Sequence, residues 1–155
     1  LLAENMVREY CTKWSIARTV LVYGVVNDMS RSNIVLWAKG ALEKGQPINV
    51  VDDQFRTPTL AEDLAKGCQL IEHKQAEGIY NISGKDQMSI LELVQRVANY
   101  FDLDASVLRV VSSESLNQPA KRPPLTGFDL TKSRKVLGYE PHSFEQGIGV
   151  LMEQL

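Results

Sequence analysis

Apolar positions along the chain switch between two spacings. In LLAENMVREYCTKW (residues 1–14), Leu2, Met6 and Tyr10 recur at helical spacing, with Glu4, Arg8 and Glu9 elsewhere on the helix. SIARTVLVYG (15–24) is a β-branched run closed by Gly24 and predicts a mostly buried strand. NDMSRSN (27–33) reads as loop. Residues 33–44 carry Ile34, Val35, Trp37, Ala38 and Leu42, an apolar helix ended by Gly45 and Pro47. PINVVDD predicts a short strand. Thr59 and Glu62 have the spacing of a capping box, which opens a helix over about 59–74. GIYNIS (78–83) is a strand. Ser89 and Glu92 form a second box, with Met88 and Leu93 placed as a hydrophobic staple, and their helix runs to about Phe101. VLRVVS is another strand. Residues 113–128, around Lys121-Arg122-Pro123-Pro124, read as a long loop. LTKSRKVLG is a short helix closed by Gly138, and Ser143 with Gln146 opens the last helix.

Strands alternate with helices throughout, the α/β pattern of a mainly parallel sheet with helical crossovers. There is no internal repeat and no low-complexity tract. No N-cap, initiator Met or signal-peptide pattern precedes the first helix, so the chain is expected to be a fragment of something longer.

Composition narrows the class. The chain has 155 residues, 44% hydrophobic and 23% charged, which suits a folded α/β protein with a real core. A net charge of −2 gives no sign of nucleic acid or of an anionic membrane as a partner. No apolar run approaches the roughly 20 residues of a membrane-spanning helix. Cys11 and Cys68 have no CxxC spacing and are expected as buried free thiols of a reducing, cytoplasmic compartment. His73 and His142 lie far apart and outside any HExxH spacing, so each is expected to be structural or at the surface.

No catalytic constellation stands complete. The chain holds no G-x-G-x-x-G, no G-x-x-x-x-G-K-[ST] and no G-x-S-x-G. Asp52 and Asp53 are adjacent at a strand end and point to opposite faces, which suits turn and cap chemistry better than an acid/base pair. Arg56 and Arg122 each lie beside prolines, which pre-orient a side chain; a guanidinium fork suits a phosphate or pyrophosphate. A surface arginine is the alternative for each. Gln54 and Arg56 have no local role evident from sequence, whereas Thr59, Glu62 and Asp63 are expected as helix-start chemistry.

Four stretches together resemble the extended short-chain dehydrogenase/reductase family, and most closely its dTDP-4-dehydrorhamnose reductase branch. RTVLVYG (18–24) resembles the strand that follows the catalytic helix. VVDDQFRTPTLAEDLA (50–65) resembles the acidic-Gln, Pro-Thr, Asp-Leu-Ala motif. GIYNISG (78–84) resembles the last sheet strand, and RPPLTGFDLTKSRKVLGYEP (122–141) the C-terminal Arg-Pro, Leu-Asp, Lys, Leu-Gly pattern. The resemblance spans essentially the whole chain. It implies the C-terminal part of a Rossmann-type NAD(P)-binding fold plus a small α/β substrate-binding domain. Residues 1–32 would end the dinucleotide-binding domain and 33–155 would be mainly substrate-binding, with 59–84 returning to the Rossmann sheet.

The family's catalytic Tyr-x-x-x-Lys and Gly-rich loop would lie upstream of Leu1, so this part alone should be inactive. In the intact enzyme, the resemblance implies hydride transfer from NADPH or NADH to the C4 ketone of a dTDP-4-keto-6-deoxy sugar. The tyrosine would donate the proton and the lysine would lower its pKa. Thr19 and Val20 would lie near the nicotinamide. Leu21, Gln54, Arg56 and Arg122 would face the nucleotide sugar. Leu21 stands where the rhamnose reductases usually carry a large aromatic, and Arg56 where they tend to have Gly, so the sugar stays open. Other outcomes are an epimerase or dehydratase on the same scaffold, a non-catalytic regulatory subunit like the methionine adenosyltransferase beta subunit, or a plain α/β binding module. The expected partner is the nucleotide-sugar substrate, with a homodimer allowed.

Overall fold

A computed structural model describes residues 2–25, 33–116 and 122–155. Helix α1 (Leu2–Tyr10) lies on the surface with no buried residue. Arg18 Nε and Nη2 donate to the two carboxylate oxygens of Glu4 at 2.7 and 2.6 Å, which joins α1 to the first strand.

The run expected as one strand over 15–24 is two. β1 (Ser15–Arg18) pairs in parallel with β6 (Gly78–Asn81). β2 (Val22–Tyr23) pairs in parallel with β5 (Thr59–Leu60). Between them Leu21 adopts φ of +44°. A leucine pays about 1–2 kcal/mol for the left-handed region, so tertiary contacts must hold it there. Thr59 supplies them: its N–H donates to the Leu21 carbonyl at 3.0 Å and its hydroxyl to the Val20 carbonyl at 2.8 Å.

Those contacts also correct the first capping box. Thr59 Oγ1 is committed to Val20 and accepts from the Gly84 N–H at 3.2 Å, so Thr59 caps nothing. Helix α3 (Ala61–His73) starts after Leu60, with no side-chain cap. Glu62 instead accepts from Gln154 at 2.7 Å.

The remaining helices follow the sequence more closely. Asn33 caps α2 (Ile34–Glu43), accepting from the Val35 and Leu36 N–H groups at 3.0 Å each. β3 (Ile48–Val51) pairs in parallel with β8 (Leu108–Val111). Ser89 caps α4 (Ile90–Tyr100) through the Glu92 N–H at 3.0 Å, while Glu92 itself turns to Arg96 instead of closing the box. Met88 and Leu93, the staple pair, are both fully buried. Gly138, at φ +68°, ends α5 (Thr131–Leu137) in the left-handed conformation that suits glycine. Ser143 and Gln146 form the complete box at the start of α6 (Phe144–Met152).

Two apolar clusters form the interior. The larger joins α2, α4, α6 and β3 around Val35, Leu42, Val50, Leu93, Val97 and Ile148. The smaller joins α3, α5 and β6 around Ile71, Tyr80, Ile82 and Leu137. Tyr23 packs edge-on against Phe144, its hydroxyl so close to α6 that a Cβ on Gly147 would lie 2.0 Å from it. Asp63 adds a polar tie, accepting from the His142 N–H at 2.9 Å and contacting its ring Nδ1 at 2.7 Å. Both cysteines are free but exposed, not buried as expected, because each lies on an outward helix end or face.

Candidate functional site

The polar turn after β3 forms the site. β4 (Phe55–Arg56) pairs antiparallel with β7 (Met88–Ser89) on one side. On its other side runs the segment after Arg122: Phe55 N–H donates to the Pro124 carbonyl at 2.7 Å, and Thr126 N–H donates to the Phe55 carbonyl at 3.0 Å. Gln54 and Arg56 are thereby tied to the segment that follows Arg122, almost 70 residues away in sequence.

Arg56 is only 8% exposed, and so is Gln54. The Arg56 Nη2 donates to Gln54 Oε1 at 3.0 Å, and Nη1 to the carbonyls of Phe55 at 2.6 Å and Pro124 at 3.4 Å. Both side chains therefore do have a local role that is not evident from sequence: Arg56 reaches the Pro124 carbonyl of the Arg122 segment, and Gln54 holds Arg56. A guanidinium has five N–H donors, so these three contacts leave Nε–H and one Nη2–H uncommitted.

The electrostatics of this arrangement are unbalanced. Burial disfavours the Arg56 cation, and the nearby Arg122 charge disfavours it further, so its pKa lies below the usual arginine value. Among the described residues, neither guanidinium pairs with a carboxylate. A buried cation without a counter-charge is costly, and an anionic ligand is the direct remedy. Beside it, the Thr57 and Thr126 hydroxyls are buried with no partner.

Thr19, Val20 and Leu21 occupy the break between β1 and β2. The Thr19 hydroxyl is buried and unpartnered, the Val20 carbonyl is taken by Thr59, and Leu21 is half-buried against the larger cluster. They lie apart from the arginine site in chain position, and among the described residues no hydrogen bond or ion pair joins the two groups directly. The unpartnered threonine hydroxyls escape a sequence reading because partner loss becomes visible only once the neighbours are packed.

Asp52 and Asp53 behave as turn residues. Asp52 is exposed, and Asp53 Oδ2 accepts from the Ser113 N–H and hydroxyl at 2.9 Å each. Those bonds hold the Asp53 carboxyl below the usual carboxylate range. Among the described residues no group of acidic, His and Cys side chains is placed to hold a metal, and no helix is long and apolar enough to cross a membrane.

Parallel strand pairs with helical crossovers, joined to an arginine-bearing polar turn, place this chain in the class of Rossmann-type, extended short-chain dehydrogenase/reductase proteins. A family model described as "RmlD substrate binding domain" matches residues 1–155, and the chain belongs to that family. It is similar to the crystal structure of dTDP-4-dehydrorhamnose reductase from Bacillus anthracis in complex with NADP, with 25% identity and a TM-score of 0.85, covering 98% of this chain and 52% of that one. It is 30% identical over 127 residues to methionine adenosyltransferase 2 subunit beta of Xenopus laevis, covering 79% of this chain and 38% of the relative. It is 28% identical over 142 residues to UDP-glucuronic acid decarboxylase 2 of Arabidopsis thaliana, covering 89% of this chain and 30% of the relative. The chain thus spans about half the length of that reductase and 30–38% of the two curated relatives.

Proposed function

We propose that this chain is the substrate-side part of an NAD(P)H-dependent nucleotide-sugar reductase. Its substrate would be a dTDP-4-keto-6-deoxy sugar. The observation that carries the reading is the buried Arg56 guanidinium, held by Gln54 and lacking a carboxylate among the described residues. A nucleotide pyrophosphate supplies the missing negative charge, and the uncommitted Arg56 N–H groups match its oxygens.

In this reading Arg56 and Arg122 bind the pyrophosphate, and Gln54 orients Arg56. Leu21 meets the sugar, while Thr19 and Val20 lie beside the nicotinamide. The buried, unpartnered Thr19 hydroxyl fits a polar ligand group there. NADPH or NADH, when bound, supplies the hydride. Residues 1–32 then close the cofactor domain. Residues 33–155 mainly form the substrate domain, with 59–84 returning to the cofactor sheet. The intact protein would be cytoplasmic, with a homodimer as a candidate assembly.

The test is NADPH oxidation by the full-length protein with dTDP-4-keto-6-deoxy sugars. Turnover supports the reading, and no oxidation with any such sugar nucleotide sinks it. The similarity to methionine adenosyltransferase 2 subunit beta favours a second reading, a non-catalytic partner subunit. A full-length sequence lacking Tyr-x-x-x-Lys upstream of Leu1 would favour that one. Tightly retained NAD with no NADPH consumption would instead favour an epimerase, dehydratase or decarboxylase, in line with the decarboxylase similarity.

A further inference from the structure

Two successive peptide planes at the break between β1 and β2 are held by one residue. The Thr59 hydroxyl donates to the Val20 carbonyl at 2.8 Å, and the Thr59 N–H donates to the Leu21 carbonyl at 3.0 Å. The first bond fixes the Val20–Leu21 peptide and the second fixes the Leu21–Val22 peptide. Each peptide is planar, so the rotations at Leu21 lie between two held planes. Leu21 cannot leave its φ of +44° without breaking a bond to Thr59.

Thr59 is a firm anchor for this hold. It is fully buried, and its hydroxyl oxygen accepts from the Gly84 N–H at 3.2 Å. Gly84 lies so close that a Cβ on it would sit 1.9 Å from the Pro58 carbonyl oxygen, so residues 58 and 59 cannot shift toward it. A hydroxyl has one proton to donate. The Thr57 carbonyl lies farther off, at 3.3 Å, and leaves that proton to Val20.

A turn that only moved the chain from β6 to β5 would take glycine or asparagine at the left-handed position. Here the position holds a leucine, half-buried, two residues after the buried, unpartnered Thr19 hydroxyl. Backbone strain kept in place by surrounding bonds is a mark of sites where side chains must be aimed.

We propose that Thr59 is a positioning residue for hydride transfer, holding the Val20–Leu21 turn in the conformation that aims Leu21 at the sugar and Thr19 at the nicotinamide. This role rests on the proposed placement of Thr19, Val20 and Leu21 beside cofactor and sugar. A residue that only stabilised the fold would change Tm and leave turnover alone at temperatures well below it.

The experiment compares Thr59→Val and Thr59→Ser in the full-length protein. Valine keeps the N–H and the shape and removes the hydroxyl. With a dTDP-4-keto-6-deoxy sugar and NADPH, well below Tm, kcat falls about tenfold in Thr59→Val and less than about twofold in Thr59→Ser. The calorimetric Kd values for dTDP and NADPH stay within about twofold of the parent. Amide hydrogen exchange without ligands gives a second readout. In Thr59→Val the residue-59 amide, bonded to Leu21, exchanges about tenfold faster relative to the Ile82 amide, which donates to Arg18 just before the turn. In a Leu21→Gly background, where the left-handed conformation is unstrained, the same substitution accelerates that exchange less.

An unchanged kcat with a lowered Tm overturns the positioning role. So does equal acceleration at residues 59 and 82, or a tenfold loss of kcat in Thr59→Ser as well. If Thr59→Val does not fold, Thr59→Ala is read against Thr59→Ser by the same ratios. If the parent turns over and Thr59→Val matches it, the positioning role alone falls. If the parent oxidises no NADPH with any such sugar, the proposed function falls and takes the positioning role with it.

Discussion

The Arg56 Nη2 donates to Gln54 Oε1 at 3.0 Å, both residues being buried. Residues two apart in extended chain project to the same face, so the amide can hold one edge of the guanidinium while two carbonyls hold another. What remains of the fork is fixed in orientation before any ligand arrives.

Arg56→Ala should therefore raise the KM for the nucleotide sugar far more than the KM for the nicotinamide cofactor. Arg56→Lys should recover little, because an ammonium cannot reproduce the planar fork. Steady-state kinetics on the full-length protein check this, and equal effects on both constants remove the pyrophosphate role. The same alanine variant should lose about 1–3 kcal/mol of stability in urea unfolding, since the Pro124 and Phe55 carbonyls and Gln54 lose a donor.

Thr59 connects the break between β1 and β2 to the segment after β6. Thr59→Val keeps the shape but leaves the Val20 carbonyl and the Gly84 N–H without their buried partner. The expected cost is about 1–3 kcal/mol, against a much smaller loss for Thr59→Ser. Equilibrium denaturation of the two variants side by side measures the difference.

Gly147 faces the Tyr23 ring at a distance that excludes a methyl group. An added Cβ would lie 2.0 Å from the hydroxyl oxygen and 3.1 Å from Cζ. Gly147→Ala should destabilise by about 1–3 kcal/mol, the range for overpacking. Combining it with Tyr23→Phe removes the shorter contact and should restore part of the loss. A double variant no more stable than Gly147→Ala alone would show that the hydroxyl is not the obstruction.

Acid should weaken the fold through Glu145. Arg96 donates to its two oxygens at 2.6 and 2.7 Å, and this hydrogen bonding holds its pKa below the ordinary 4.5. A carboxylate depressed in the folded state contributes stability that is present above its unfolded pKa. That contribution is lost as pH falls through the folded value. Over about pH 5 to 3, the urea midpoint of the parent should fall more steeply than that of Glu145→Gln. Parallel slopes would mean that the Arg96 pair adds nothing, as many exposed pairs do.

The three S/T-x-x-E/Q spacings show where local reasoning holds. At Ser143 the complete box forms, and at Ser89 half of it does. At Thr59 it is absent, because the hydroxyl finds the Val20 carbonyl, 39 positions upstream. A capping pattern is read over four residues, and a competing acceptor from another strand is invisible at that range. The residue types of the candidate site stand out in the sequence: Arg56 and Arg122 for their chemistry and their prolines, Gln54 for having no evident local role. The Arg56–Pro124 and Asp53–Ser113 bonds do not, since each depends on a partner distant in sequence.

By itself, the amino-acid order determined the alternation of strands and helices, most element positions, and the Ser89, Ser143 and Gly138 punctuation. These follow from periodicity and from side-chain reach within a few residues. Tertiary structure alone decided that the first strand breaks at Leu21, that Thr59 bridges strands instead of capping a helix, and that Arg56 is buried with no carboxylate partner among the described residues. Each of those outcomes is set by which buried donor or acceptor finds a partner, and that is decided only when distant segments pack.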